Sequence, residues 1–283
     1  MARRRGLRRL IVALLTLALV AGGIYAAVFF LQRSETLVSE RCTATAGGRT
    51  AELATDQSFH AALISAAAVQ RGLPPRAASI ALATAMQESK LRNIGHGDQA
   101  GPDSRGLFQQ RPSQGWGTEA QVMDPYYATN AFYDALVKLP GYETMAITDA
   151  AQAVQRSAFP LAYAQHEDMA RAFASALTGQ TPGALQCTLR SADAAGDPAE
   201  LTVELERDYG SLGASTEGQA VVVPVSDELA WSVAQWAVAS ANDLGVVRVD
   251  VAGRSWIRGD QAGWQDAAAP SPDVRITLAS ARS

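Results

Sequence analysis

The sequence predicts a mainly α domain followed by a small α/β module, both behind an N-terminal transmembrane helix. Three observations predict it. An uncharged run of 22 residues, 10–31, follows a cluster of five arginines. A middle segment repeats apolar residues at helical spacing around one Gly- and Pro-rich excursion. After Cys187 the composition shifts to short apolar runs bounded by turn residues. With 48% hydrophobic and 18% charged residues over 283 positions, there is enough apolar side chain for a packed core.

Residues 1–9 hold Arg3, Arg4, Arg5, Arg8 and Arg9. Residues 10–31 are long enough to cross a bilayer core as a helix. The arginines keep the N-terminal end in the cytoplasm and send the rest outward. The exit Gln32-Arg33-Ser34 is polar and lacks a small-x-small cleavage site, which favours an uncleaved anchor; a cleaved signal and secretion are the alternative. Glu40 and Arg41 before Cys42 exclude a lipoprotein signal. The net charge is −4, and the five arginines set aside leave 19 basic against 28 acidic side chains. That sign repels phosphate backbones, so no nucleic-acid partner is expected. The N-terminal helix makes the membrane an expected partner.

Residues 32–54 read as a polar stalk, and 55–187 as the main domain. Asp56 caps a first helix over 56–71, which Gly72 stops. Pro74-Pro75 opens a second over 75–91. Residues 92–117 are rich in Gly and Pro and read as loop or short hairpin. Asp124-Pro125 starts a third helix, Thr148 caps a fourth, and Pro160 interrupts the chain before a fifth that ends near Gly179. Cys42 and Cys187 bracket this domain; an even count in an exported chain suggests a disulfide, two unrelated buried thiols being the alternative. The three histidines are scattered without metal-ligand spacing, so no metal and no cofactor are expected. Residues 188–219 read as a linker in which Leu201, Leu205 and Tyr209 favour a helix over a strand. The module 220–283 carries strands over 220–225, 246–251, 255–257 and 274–278, and a helix over 227–241 capped by Ser226.

The second helix carries the chemistry. Ala77, Ala78, Ile80, Ala81, Leu82, Ala83, Ala85 and Met86 make it apolar nearly all round, and Glu88 stands near its end above Ala81, Thr84 and Ala85. A carboxyl on a small apolar stripe is partly desolvated and keeps its proton near neutral pH, as a general acid must. The alternative is a carboxylate reaching solvent beside Lys90.

Gln87-Glu88-Ser89, followed by Gly106-Leu107-Phe108-Gln109, resembles the soluble lytic transglycosylase and goose-type lysozyme superfamily. The resemblance covers about residues 56–178 and implies a lysozyme-like fold. It extends to the helix from Asp124 and to Ala150-Ala151-Gln152-Ala153-Val154-Gln155 with Tyr163, similar to the family's Ala-Tyr-Asn-Ala-Gly segment and following Tyr. Val154-Gln155 departs from Tyr-Asn and the Gly is missing, which bears on catalysis more than on fold. The resemblance implies cleavage of peptidoglycan glycan strands by Glu88 acting as acid and then as base, with a 1,6-anhydro product. A hydrolytic muramidase needs a second carboxylate, for which Asp98 and Asp103 are the close candidates, although both suit turns. Ser89 by analogy orients the acid or binds the N-acetyl group. Gln109, Gln110 and Gln155 are candidate hydrogen-bonding partners of sugar, or structural amides. Trp116 and Tyr163 are candidate stacking surfaces, or core. The stretch 106–118 looks like a branch common in actinobacterial exported proteins.

The C-terminal module resembles, more loosely, a tail of actinobacterial wall hydrolases, through Leu244-Gly245, Gly253-Arg254, Trp256 and Gly263-Trp264. That tail's paired histidines are replaced by Asp273-Val274-Arg275-Ile276, which removes any metal chemistry there. Trp236 reads as core; Trp256 or Trp264 is a candidate ligand contact. From a different functional class, a non-catalytic wall-binding scaffold on the same fold is the competing reading.

Overall fold

The computed structural model describes residues 16–17, 20–25, 39–99, 101–156, 161–267 and 272–281. The chain divides into Met1–Ser39 and a compact unit, Glu40–Ser283. The expected transmembrane helix is corrected: among the described residues no helix is long and apolar enough to cross a membrane. Of residues 10–31 only 16–17 and 20–25 are described, and these are helical; the remainder lies outside the described residues.

The stalk expected over 32–54 is also corrected from residue 41 onward. Strand β1 (Arg41–Ala46) turns through Gly47 and Gly48, both at positive φ, into β2 (Arg49–Leu53). Such a two-residue turn needs left-handed backbone at both positions, which glycine adopts without steric cost. Strand β3 (Leu185–Thr188) pairs antiparallel on the other edge of β1, giving the order β2-β1-β3. Cys42 lies opposite Cys187 in that register, and the two form the disulfide. A closed disulfide fits an extracytoplasmic, oxidising compartment.

Helices α1 (Thr55–Gln70) and α2 (Pro75–Ser89) are buried along most of their length, as their nearly all-round apolar sequences require. Around them pack a short α3 (Glu119–Met123), α4 (Pro125–Leu136), α5 (Ile147–Gln155) and α6 (Glu167–Leu177). Asp124 caps α4 by accepting from the Tyr126 amide at 2.9 Å, as the Asp-Pro signal predicts. Helix α5 starts at Ile147 with Ala146 as its N-cap, so Thr148 is inside it rather than capping it.

The segment expected as a linker carries α7 (Pro198–Tyr209), which helix propensity and the Asp197 cap favour over a strand. Strands β4 (Ser215–Glu217), β5 (Ala220–Val223), β6 (Val246–Val251), β7 (Arg254–Ile257), β8 (Gln265–Asp266) and β9 (Val274–Leu278) form an antiparallel sheet in the order β4-β5-β9-β6-β7-β8. Helix α8 (Asp227–Ala239) lies against that sheet and against α1 and α6. One apolar core therefore runs through all of Glu40–Ser283, with Ile64, Leu82, Phe173, Trp236 and Ile276 in the same cluster. Trp256 is fully buried, and Trp264 donates from Nε1 to the Leu185 carbonyl at 2.8 Å. Neither is available as the ligand contact the sequence suggested.

Candidate active site

Glu88 stands one residue before the end of α2, and the way that helix stops sets its position. Lys90 and Leu91 follow at φ 57 and 56, both in the left-handed region. Their amides close on the Met86 and Ala85 carbonyls at 3.1 Å each, and Leu91 is fully buried. This is a helix stop anchored by its first apolar residue outside the helix. Left-handed backbone costs a residue with a Cβ about 1–2 kcal/mol. Among the described residues six non-glycines have positive φ, and Lys90, Leu91, Gln109 and Arg156 are four of them. These four end or flank the segments carrying Glu88, the 105–110 loop and Gln155, so strain concentrates here.

The Tyr163 hydroxyl donates to Glu88 Oε1 at 2.7 Å, and the tyrosine is otherwise fully buried. Burial pushes the Glu88 carboxyl above its ordinary pKa; the Tyr163 hydrogen bond opposes this, and the negative charge of Asp98 adds to it. Beside it, Gln87 Oε1 faces Gln165 Nε2 at 3.1 Å and His166 Nε2 at 3.0 Å.

The second motif faces the end of α2. Arg105 and Gln110 exchange backbone hydrogen bonds at 3.0 Å and close a tight loop. Gly106 has φ 76, and a Cβ there would come within 2.1 Å of the Val122 carbonyl oxygen, which is why glycine occupies the position. Leu107 and Phe108 are fully buried, with Phe108 stacked on Phe132 at 4.7 Å between ring centroids. Ser89 Oγ donates to the Leu107 carbonyl at 2.7 Å, and Gln155 Nε2 to the Phe108 carbonyl at 2.8 Å. The loop is thus clamped from α2 and α5 through its own backbone, and Ser89 acts on the loop rather than on the acid.

Other predicted residues separate. Gln110 is buried and donates to the Ala128 carbonyl at 2.9 Å, as the structural-amide reading expects. Gln109 is partly exposed and donates back to Gly106. Asp103 accepts from Arg111 at 2.8 Å and from the Ser113 amide at 3.0 Å. The Ser113 hydrogen bonds, then Arg111, hold its carboxyl far below the usual range, so it remains an anion committed to that turn. Asp98 is exposed and accepts from the Gly101 amide at 2.8 Å. Trp116 is partly exposed on a groove of about 810 Å³ whose walls also include Tyr127, Lys138, Gln155 and Arg156.

Gln155 therefore belongs to both the loop clamp and the groove. Tyr127 and Arg156 also line the groove, and neither is a site residue expected from the sequence. Tyr127 stands three residues after the Asp124 cap, so an aromatic in the first turn of α4 was a legible signal. Nothing local marks Arg156, whose place depends on how α5 packs. No protein-family model matches this chain, and neither does any curated protein.

Proposed function

We propose that the protein is a lysozyme-like lytic transglycosylase that cleaves peptidoglycan glycan strands with Glu88 as its single acid and base. The observation that carries this reading is the Glu88 carboxyl itself, partly buried, raised in pKa and held by Tyr163 at 2.7 Å. In the proposed reaction Glu88 gives its proton to the bridging oxygen as the bond from C1 of the N-acetylmuramoyl sugar breaks. The C6 hydroxyl oxygen of the same sugar closes on C1, and its proton passes to the Glu88 carboxylate. The products are a 1,6-anhydro end and a free hydroxyl, and Glu88 is again protonated. The groove carrying Trp116, Tyr127 and Gln155 does not include Glu88 in its walls, but it offers aromatic faces and an amide to a sugar chain, and Gln155 ties it to the loop that Ser89 also holds.

A hydrolytic muramidase is the second reading, favoured by the carboxylate of Asp98, whose negative charge reaches Glu88. Asp103 does not qualify, because Arg111 and Ser113 hold it.

The test is purified protein incubated with peptidoglycan, with the released muropeptides read by mass. Anhydro products are expected from the wild type, and Glu88→Gln is expected to lose about 10⁴-fold or more, since one group serves both proton transfers. Asp98→Asn should still give anhydro products. Hydrolytic products lost in Asp98→Asn favour the muramidase, and wall binding without release favours a non-catalytic scaffold.

A further inference from the structure

At the opposite end of α2 from Glu88 lies a pocket that the glycan chemistry does not use. It has a volume of about 260 Å³, and its walls include Gly47, Arg49, Arg76, Ser79, Arg171 and Ser175. Arg76 and Glu88 are separated by about 18 Å along the helix at 1.5 Å per residue. Three structural elements each contribute one guanidinium: the start of β2, the first turn of α2, and α6.

We propose that this pocket binds a tetrahedral oxyanion of the phosphate class, either free phosphate or a phosphate ester.

Hydrogen bonding in the pocket is incomplete. Arg76 donates through Nη2 to the Met145 carbonyl, but its Nε is buried with no partner among the described residues. A buried guanidinium N–H without an acceptor costs free energy that a bound oxyanion recovers. Arg49 uses Nε on Asp168 at 2.7 Å and Nη1 on the Gly47 carbonyl at 3.1 Å, leaving Nη2. Arg171 uses Nε and Nη2 on a single oxygen of Glu167, at 2.7 and 2.6 Å, leaving Nη1.

Among the described residues three guanidinium groups face two carboxylates, Glu167 and Asp168, so the pocket keeps a positive excess. The amino-terminal end of the 15-residue α2 adds its partial positive charge at Pro75 and Arg76. Burial, and then the neighbouring Arg171, hold the Arg76 guanidinium below its ordinary pKa, while the Glu167 charge opposes this.

A carboxylate offers two coplanar oxygens, which one arginine matches in a bidentate pair. Donors arriving from three elements call for an acceptor with oxygens in three directions, which a phosphate group has. Gly47, at φ 58, turns the chain so that its carbonyl accepts from Arg49 Nη1 at 3.1 Å at the pocket wall.

The experiment is calorimetric titration of the full chain with inorganic phosphate at constant ionic strength balanced by chloride. One saturable site is expected. Arg171→Gln and Arg49→Gln should each weaken it about tenfold or more, the usual effect of losing a charge-assisted hydrogen bond. Both side chains are partly exposed in ion pairs, so these variants should melt near the wild type without phosphate; Arg76→Gln serves as a third where it folds. Glu88→Gln should bind phosphate as the wild type does, so failure of the glycan reading leaves this one standing. Dimethyl phosphate binding as tightly as phosphate identifies the phosphodiester of a polymer as the source, whereas binding of phosphate alone identifies the free dianion. No saturable binding, equal binding of acetate, or unweakened Arg171→Gln and Arg49→Gln variants would overturn the proposal.

Discussion

At the scale of single residues, Glu88 is governed by influences of opposite sign. Burial and the Asp98 charge favour the protonated acid, while the Tyr163 hydroxyl favours the carboxylate. The proposed reaction needs the first state for proton donation and the second for proton return, so one group with this balance suits both proposed steps. Tyr163→Phe removes the donor and leaves the ring volume. The Glu88 pKa should then rise further, and the alkaline limb of the kcat/KM profile should move to higher pH. The maximal rate should fall about tenfold, as expected for a lost hydrogen bond to an ionised group. An alkaline limb that stays in place or moves down contradicts the role given to Tyr163.

Among elements, the tight loop between Arg105 and Gln110 depends most on one choice of residue. Gly106 combines φ 76 with an approach to the Val122 carbonyl that no Cβ can share. Gly106→Ala should destabilise the fold by about 2–4 kcal/mol in urea unfolding, combining left-handed strain with displaced backbone. On the proposed function, glycan cleavage by the folded fraction should fall as well, because Ser89 and Gln155 hold this loop through the Leu107 and Phe108 carbonyls. A variant of wild-type stability would show that the loop yields to the extra methyl without cost. The stop of α2 follows similar logic, with buried Leu91 offsetting two left-handed residues.

Across the whole molecule, contacts between distant segments hold the helical core to the six-stranded sheet. The disulfide closes a sequence separation of 145 residues, which restricts the unfolded chain by about 5 kcal/mol in the chain-entropy picture. Asp208 of α7 is buried between α4 and α8, accepting from Trp236 Nε1 at 2.5 Å while its other oxygen has no partner among the described residues. Burial pushes its pKa up to about 7; the Trp236 hydrogen bond opposes this and the Glu204 charge adds to it. The unfolded value is about 3.9. Between about pH 4 and pH 7 the folded state therefore binds the extra proton, so this group's contribution to stability falls as pH rises through that window. Asp208→Asn keeps an acceptor for Trp236 and cannot ionise. Relative to the wild type it should gain stability between pH 5 and pH 8, by a few kcal/mol in order of magnitude. Denaturant unfolding at the two pH values checks this, and a difference independent of pH would place the Asp208 proton elsewhere.

Glu88 near the end of a buried helix, the Gly106 turn, the α4 cap at Asp124 and the spans of β6 and β9 were all legible in the sequence. Each rests on interactions within a few residues: apolar periodicity, a capping side chain, a glycine where the chain must turn. The pairing of Cys42 with Cys187 was legible only because two cysteines leave one intramolecular choice. The apolar run 10–31 is the exception, since among the described residues no helix is long and apolar enough to cross a membrane. What only the tertiary structure decided depends on partners far apart in the chain. Residues 41–53 form a hairpin rather than a stalk because β3, more than 130 residues later, completes their sheet. Gln110 donates to the Ala128 carbonyl, and Tyr163 meets Glu88 across 75 positions. The three arginines of the anion pocket converge from β2, α2 and α6 for the same reason. A short-range pattern records how a segment folds onto itself, but the free energy that pairs strands and side chains across the core comes from neighbours that no local pattern names.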